Sequence, residues 1–182
     1  MPNPLLLLDI DGVLNPFQAP LPGPAGYRLH HMRPQSWITQ HPHLLPDDVP
    51  DLRVRLHPEH GAELLDLPFD LAWATTWEDD ANRHVGPVIG LPVLPVINWT
   101  HPDHHFPADG TYFKTADVVR FADGRPFAWV DDQILQPDRD YVSRNHPGPA
   151  LLYDVDPEVG LTPDDFEALA HWAGELKMNR SA

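Results

Sequence analysis

The chain has 182 residues, of which 42% are hydrophobic, and its formal net charge at pH 7 is −15 with histidine counted as neutral. This length suits one domain with a single core, and the negative field repels nucleic-acid phosphates unless a local basic groove or bound cation intervenes. The absence of cysteine excludes disulfides, thiolate metal sites and cysteine nucleophiles, and it fits a cytoplasmic location. No stretch approaches about 18 consecutive apolar residues, so we expect no membrane span.

The first predicted element is a strand. Residues Leu5 to Ile10 form an apolar run with one aspartate inside it. Such a run is typical of a central strand in a parallel sheet, where both faces are buried. The strand ends at the turn formed by Asp11 and Gly12. An unpaired carboxylate is costly in apolar surroundings, so the aspartate within the run, Asp9, is a strong candidate for a functional residue.

The stretch from about Asn15 to Leu56 is rich in proline, glycine and histidine. Two short segments within it, 27–32 and 52–56, are candidates for a small hairpin or flap. The stretch is too short for a full cap domain, so we expect one domain over residues 1–182 that carries a flap insert. A flap would leave the crevice beneath it relatively open.

Strands and helices alternate in the rest of the chain. Helices are predicted from His57, over 78–85, over 114–122 and from Thr162 to about Lys177, and strands over 69–75, 94–98, 126–130 and 150–155. This alternation predicts a three-layer α/β sandwich with a central parallel sheet. Parallel sheets bind ligands beyond the carboxyl ends of their strands, so polar residues at those ends are the candidates for a site.

Several polar residues stand at predicted strand ends or at the start of a helix. They are Asp9, Asp11, Thr75, Thr76, Lys114, Asp131 and Asp132. A carboxylate can attack phosphorus and form an aspartyl-phosphate, which divides one displacement into two easier ones. Mg²⁺ would join carboxylates that otherwise repel one another, and a lysine and a threonine hydroxyl can hold phosphoryl oxygens. The set therefore favours phosphoryl chemistry.

The same residues carry a family resemblance. The segment Leu5-Leu-Leu-Leu-Asp-Ile-Asp-Gly-Val-Leu-Asn resembles the first motif of the haloacid dehalogenase-like (HAD) superfamily, hhhhDxDGVL, and the later motifs follow in order. Within that superfamily the chain looks like the HAD domain of bacterial Swiss army knife RNA-repair proteins. That closer resemblance rests on the segments 73–82, WATTWEDDAN, and 124–132, GRPFAWVDD. It implies a Rossmann-like core with a minimal cap.

The resemblance also implies roles for individual residues. Asp9 would be the nucleophile and a Mg²⁺ ligand, and Asp11 the general acid and base, with its backbone carbonyl on the metal. Thr75 would bind the phosphoryl group, with Thr76 as the substitute if the strand ends one residue later. Lys114 would neutralise the phosphoryl group and the nucleophile. The presence of the second aspartate of the motif fits phosphatases and phosphotransferases.

The remaining implied sites lie beside these residues. Asp131 and Asp132 would anchor the metal, and we favour Asp132 as the direct ligand. Asn15 and Gly12, next to the first motif, are candidates for contact with substrate. The segment His101 to His105 offers a rival metal site, although neither its spacing nor that of other histidine pairs guarantees the tetrahedral convergence that zinc needs.

The sequence thus predicts a Mg²⁺-dependent phosphomonoesterase whose partner is a phosphorylated small molecule or a phosphorylated nucleic-acid end. A phosphatase for nucleic-acid ends in RNA or DNA repair is the first alternative, but it needs a local cationic surface, and 12 Lys and Arg face 27 Asp and Glu. A non-catalytic binding module on the same fold is the second alternative. Such a module would normally have lost Asp9 or Asp11, and both are present.

Overall fold

A computed structural model describes residues 2–100 and 106–181, except for the side chains of residues 179–181. The strands are β1 (Leu5–Leu8), β2 (Arg28–Met32), β3 (Leu52–Leu56), β4 (Asp70–Trp73), β5 (Phe127–Asp131) and β6 (Ala150–Asp154). The α-helices are α1 (Gln35–Thr39), α2 (His60–Asp66), α3 (Gly86–Ile89), α4 (Thr115–Ala122), α5 (Gln136–Asn145) and α6 (Pro163–Ser181). A 3₁₀ turn covers Pro46–Asp48, and a π-helical turn covers Ala81–Val85. No helix in this part of the chain has the length and apolar character that a membrane crossing requires.

The central sheet has four parallel strands in the order β4-β1-β5-β6. The predicted parallel α/β architecture is therefore confirmed. Leu8, the last residue of β1, is in register with Trp73 of β4 and Val130 of β5. The residues that follow these three strands consequently emerge at the same edge of the sheet.

Side-chain alternation along β1 explains why both of its faces are apolar. Leu6 and Leu8 lie in a core shared with α2, α3 and α6, whereas Leu5 and Leu7 lie in a core shared with α4 and α5. Residues on a strand point to opposite faces in turn, so a continuous leucine run fits only a strand covered by helices on both sides. Burying each leucine contributes about 2 kcal/mol, which fixes β1 in the middle layer.

The predicted strand over 94–98 is wrong. That segment makes an isolated bridge between Val96 and Trp73, closed by bonds from Trp73 N to Pro95 O at 2.8 Å and from Ile97 N to Trp73 O at 2.9 Å. Proline has no N–H to donate, so Pro95 interrupts the ladder that a longer strand would need.

The helix predicted over 78–85 is confirmed, although it starts one residue later and continues to Ile89. Helical backbone begins at Asp79, includes the π-helical turn at Ala81–Val85 and passes into α3. Glu78 has φ +49° and its N–H donates to Thr75 O at 3.2 Å, so residues 75–78 form a turn before the helix. The positive φ of Glu78 is a conformation that L-residues rarely adopt, and it places Glu78 outside the helix.

The insert between β1 and β4 contains the expected hairpin, because β2 and β3 pair antiparallel. Hydrogen bonds connect the insert to the core, and two of them reach residues near the candidate site. Arg55 N in β3 donates to Asn15 Oδ1 at 2.9 Å, and Ser36 N in α1 donates to Asp80 Oδ2 at 2.8 Å. Both acceptors are buried. The insert is thereby fixed against residues that neighbour the carboxyl edge of the sheet.

Candidate functional site

Three carboxylates converge at the carboxyl edge of the sheet. Asp9, Asp131 and Asp132 each offer one oxygen, and these oxygens all lie within 4.8 Å of one another. Asp9 follows β1 and Asp131 ends the neighbouring strand β5, so the parallel pairing of the two strands brings the side chains together. Asp9 and Asp131 are buried and Asp132 is half-buried. We call these three residues the carboxylate cluster.

Lys114 is the cation of this cluster. Its Nζ donates to Asp9 Oδ2 at 2.7 Å and to Asp131 Oδ2 at 2.8 Å, and the side chain is 0% exposed. Burial opposes the charged form, but the carboxylates of Asp131 and Asp9 outweigh it and raise the pKa of Lys114 above its ordinary value. The two carboxylates therefore favour the ammonium form of the lysine.

Two aromatic rings complete the surroundings of Lys114. The ammonium lies 5.2 Å from the ring centre of Tyr112 and 5.8 Å from that of Trp99. Both rings are buried, and the negative faces of aromatic rings attract a cation. This arrangement stabilises the charge without adding another carboxylate.

Asp138 holds the chain segment that carries Lys114, and the sequence did not single it out. Its carboxylate accepts from Tyr112 N at 2.7 Å, from Thr115 Oγ1 at 2.6 Å and from Leu135 N at 2.8 Å. Asp138 is 0% exposed. An aspartate in the first turn of a helix is normally explained by its favourable interaction with the helix dipole. That explanation gives no reason to expect that Asp138 also holds the segment that carries Lys114. The signal in the sequence was its position three residues after Leu135, at the start of a helix with proline in its first turn, but that pattern is too common to be decisive.

Asp11 lies beside the carboxylate cluster with both oxygens engaged. Oδ1 accepts from Asn15 Nδ2 at 2.7 Å, and Oδ2 accepts from the indole Nε1 of Trp77 at 2.9 Å. Burial raises the pKa of Asp11, and the hydrogen bonds from Trp77 and Asn15 oppose that rise, whereas the nearby Asp9 adds to it. Asp11 is thus oriented by two neutral donors and is more easily protonated than an exposed aspartate.

The two aspartates at the end of β5 differ in their surroundings. Asp131 has both oxygens engaged, Oδ2 with Lys114 Nζ and Oδ1 with Gln133 N at 3.1 Å. Burial raises the pKa of Asp131 even though Lys114 opposes the rise. Burial, with a further contribution from Asp9, raises the pKa of Asp132 to about 6. Asp132 is the more accessible of the two.

Gly12 permits the close contact between the turn after β1 and Asp132. It has φ +83°, and a Cβ added to it would lie 2.3 Å from Asp132 Cγ. Its N–H donates to Asn15 O at 2.8 Å, which closes the turn after Asp11. Glycine is needed here for two reasons, namely the left-handed backbone and the absence of a side chain.

The other predicted residues occupy less central positions. Thr75 is fully buried at the end of β4, and its Oγ1 accepts from Trp77 N at 3.4 Å. Thr76 is half-buried and lines a cavity on the side of α1. Asn15 is buried, and its amide donates to Asp11 through Nδ2 and accepts from Arg55 N through Oδ1, so it orients Asp11. Its direct contact with substrate stays a prediction. The histidines of segment 101–105 lie outside the described residues.

The charge balance shows what the cluster can hold. Three carboxylates and one ammonium leave two negative charges when all are ionised. Carboxylate oxygens are the ligands that Mg²⁺ and Ca²⁺ prefer, and a divalent cation would neutralise that excess. Comparison of the chain with models of protein families, with curated proteins and with solved structures found no match.

Proposed function

We propose that the chain is a Mg²⁺-dependent phosphohydrolase that acts through an aspartyl-phosphate on Asp9. The observation that carries the proposal is the convergence of the three oxygens of the carboxylate cluster within 4.8 Å, next to the buried ammonium of Lys114. Asp11 with its two neutral donors supplies the second carboxylate that the chemistry needs. The order of these residues along the chain is also that of the HAD-like motifs.

The donor set fits Mg²⁺. All candidate side-chain ligands are carboxylate oxygens, with no sulfur or imidazole among them, and their net charge suits a divalent ion. Asp9 and Asp132 would hold the ion directly, with the backbone carbonyl of Asp11, and Asp131, which is more deeply buried than Asp132, would act through water. When bound, Mg²⁺ would screen the negative phosphoryl group from the attacking carboxylate.

The protein residues divide the reaction into two displacements. In the first, a carboxylate oxygen of Asp9 attacks phosphorus, the bond from phosphorus to the ester oxygen breaks, and Asp11 donates a proton to the departing oxygen. In the second, Asp11 takes a proton from water, whose oxygen attacks phosphorus and releases phosphate and the Asp9 carboxylate. Lys114 stays protonated and stabilises negative charge on Asp9 and the phosphoryl group throughout.

Hydrogen bonding around Asp9 suits a nucleophile that keeps one orientation. Oδ1 accepts from Ile10 N at 2.7 Å, and Oδ2 accepts from Lys114 Nζ. Fixed donors of this kind reduce the reorganisation that attack requires, because the carboxylate does not have to rotate into place. Asp9 retains enough exposure, at 5%, to be reached from the carboxyl edge of the sheet.

The proposal is tested with a panel of phosphate monoesters assayed with Mg²⁺ and with chelator. We expect Mg²⁺-dependent release of phosphate, and we expect Asp9→Asn to lower kcat by at least about a thousandfold. Asp70→Asn, at an exposed aspartate paired with Arg125, is the control and should retain activity. Turnover by Asp9→Asn close to that of the wild type would overturn the mechanism, and binding of Mg²⁺ without hydrolysis of any ester would favour the binding module.

A further inference from the structure

A polar cavity of about 450 Å³ lies between α1 and the segment after β4. Helix α1 contributes Gln35 and Ser36, Gln40 follows directly after that helix, and the segment after β4 contributes Thr76, Glu78 and Arg83. With the exception of Trp77, the residues that line it carry polar or charged side chains. None of the three residues of the carboxylate cluster lines the cavity, and the proposed mechanism does not involve it.

Trp77 connects the cavity to the reaction centre. Its side chain is almost fully buried, it lines the cavity, and its Nε1 donates to Asp11 Oδ2 at 2.9 Å. The proposed mechanism has Asp11 donate a proton to the departing oxygen, so the rest of the leaving group must lie on the Asp11 side of phosphorus. The cavity is on that side. We propose that it binds the leaving group and that the leaving group is an uncharged polyol, such as a monosaccharide.

The charges of the cavity disfavour an anionic leaving group. Three carboxylates, those of Glu78, Asp79 and Asp80, line it against the single guanidinium of Arg83, whose Nη1 lies 3.3 Å from Asp80 Oδ1. Glu78 and Asp79 are exposed carboxylates beside that pair. A polynucleotide, or a nucleotide with further phosphates, would place like charges against these carboxylates.

The neutral groups of the cavity fit hydroxyls. The amides of Gln35 and Gln40 and the hydroxyl of Thr76 each donate and accept, and the carboxylates accept. A polyol offers donors and acceptors at every carbon, so it can pair with this mixed set. An apolar alcohol would displace water from these groups without offering them hydrogen-bond partners.

Turnover of different esters tests this inference, which rests on the proposed function. With Mg²⁺, kcat/KM should be higher for hexose 6-phosphate than for p-nitrophenyl phosphate, phosphoethanolamine, a nucleoside monophosphate or a 3′-phosphorylated oligonucleotide. Gln40→Leu should lower the ratio of kcat/KM for hexose 6-phosphate to that for p-nitrophenyl phosphate about three- to tenfold, the effect of one hydrogen bond. Gln136→Leu, on exposed α5 surface outside the cavity, should leave that ratio unchanged.

A binding measurement separates failure of the inference from failure of the proposed function. Hexose 6-phosphate is titrated calorimetrically into Asp9→Asn and into Asp9→Asn/Gln40→Leu. Weaker binding by the double variant supports the cavity as the polyol site, even if the wild type hydrolyses no ester. Preference for the oligonucleotide or for phosphoethanolamine, an unchanged ratio in Gln40→Leu, or no binding of hexose 6-phosphate to Asp9→Asn would each overturn the inference.

Discussion

The ammonium of Lys114 donates a hydrogen bond to the carboxylate of Asp9 over 2.7 Å, although the two residues are 105 positions apart in the chain. A second bond at 2.8 Å joins the same ammonium to Asp131. Because Lys114 is fully buried, the two bonds compensate for the loss of water around one cation and two anions. The stability of the fold and the electrostatics of the candidate site therefore depend on one side chain.

Lys114→Met should destabilise the chain by about 3 kcal/mol. The substitution leaves Asp9 and Asp131 close together in a buried site with no positive charge between them, and breaking a buried ion pair has costs of this order. The free energy of unfolding in urea, measured without divalent cations, is the readout. Lys177→Met, at the other lysine of the chain and on the exposed face of α6, is a matched control and should change stability by less than about 0.5 kcal/mol.

A double variant distinguishes charge from packing in that experiment. Lys114→Met/Asp131→Asn removes one of the two uncompensated carboxylates, so it should recover part of the lost stability. If the double variant is no more stable than Lys114→Met, the loss comes from packing of the lysine stem and the charge argument is wrong.

Gly12→Ala should destabilise the chain more than Gly90→Ala does. The two glycines have the same φ of +83°, so each alanine adds a similar backbone strain of about 1–2 kcal/mol. A Cβ at Gly90 would meet no atom within 4 Å, whereas a Cβ at Gly12 would lie 2.3 Å from Asp132 Cγ. Only Gly12→Ala should therefore also weaken Mg²⁺ binding, measured by titration calorimetry. Equal Mg²⁺ affinity in both variants would show that Asp132 is not a ligand or moves without cost.

Trp77→Phe should raise the pKa of Asp11. The indole N–H donates to the ionised carboxylate and stabilises it, and phenylalanine removes that donor while keeping an aromatic ring. Carboxyl ¹³C NMR titration of the metal-free protein reports the value directly. Trp172→Phe, where the half-buried indole stacks on Phe69, is the control and should leave Asp11 unchanged. A constant or lower pKa in Trp77→Phe would contradict the geometry.

The contribution of His60 to stability should fall as pH decreases from about 6.5 to about 4, whereas protonation of Asp11, Asp131 and Asp132, whose pKa values are raised in the folded chain, acts in the opposite direction. Burial, with a smaller effect of His57, lowers the pKa of His60 to about 4, whereas in the unfolded chain it is about 6.5. Over this interval His60 binds a proton in the unfolded state but not in the folded state. Its contribution to the free energy of unfolding, present in full above pH 6.5, is therefore lost, up to about 3 kcal/mol. Urea unfolding at a series of pH values measures the slope.

His60→Leu should reduce that slope, since it removes the titrating group. His171, whose side chain is 75% exposed on α6, provides the control, and His171→Leu should leave the slope as it is. If the slope is the same in the wild type and in His60→Leu, the pKa of His60 is not lowered in the folded chain.

The sheet could be predicted because its signals are local. Leu5 to Leu8 are apolar on both faces, and the other three parallel strands also coincide with apolar runs. The strand over 94–98 failed because an apolar run gives no information on pairing, and Pro95 removes a donor that the ladder needs. The helix after β4 was predicted to within one residue at its start, and only the turn at Glu78 was missed, because its residue type does not indicate a positive φ.

The candidate site could be predicted only in part. That Asp9 and Asp131 meet follows from strand ends that share one sheet edge. That Lys114 is fully buried between them does not follow, because a lysine at a helix start is usually solvated. The bond from Trp77 to Asp11 spans 66 positions, and the function of Asp138 depends on where the turn before α4 packs. Contacts of this kind depend on tertiary packing rather than on spacing.

Asn15 gives the molecule a mechanical link between two parts that are distant in the chain. One amide group binds Asp11 through Nδ2 and the β3 backbone of Arg55 through Oδ1. An amide is planar and rigid. If the hairpin moved, the amide could keep its hydrogen bond to Arg55 only by breaking the one to Asp11. Movement of the β2–β3 hairpin away from the core would consequently release the carboxyl group from one of its two fixed donors, and return of the hairpin would realign it.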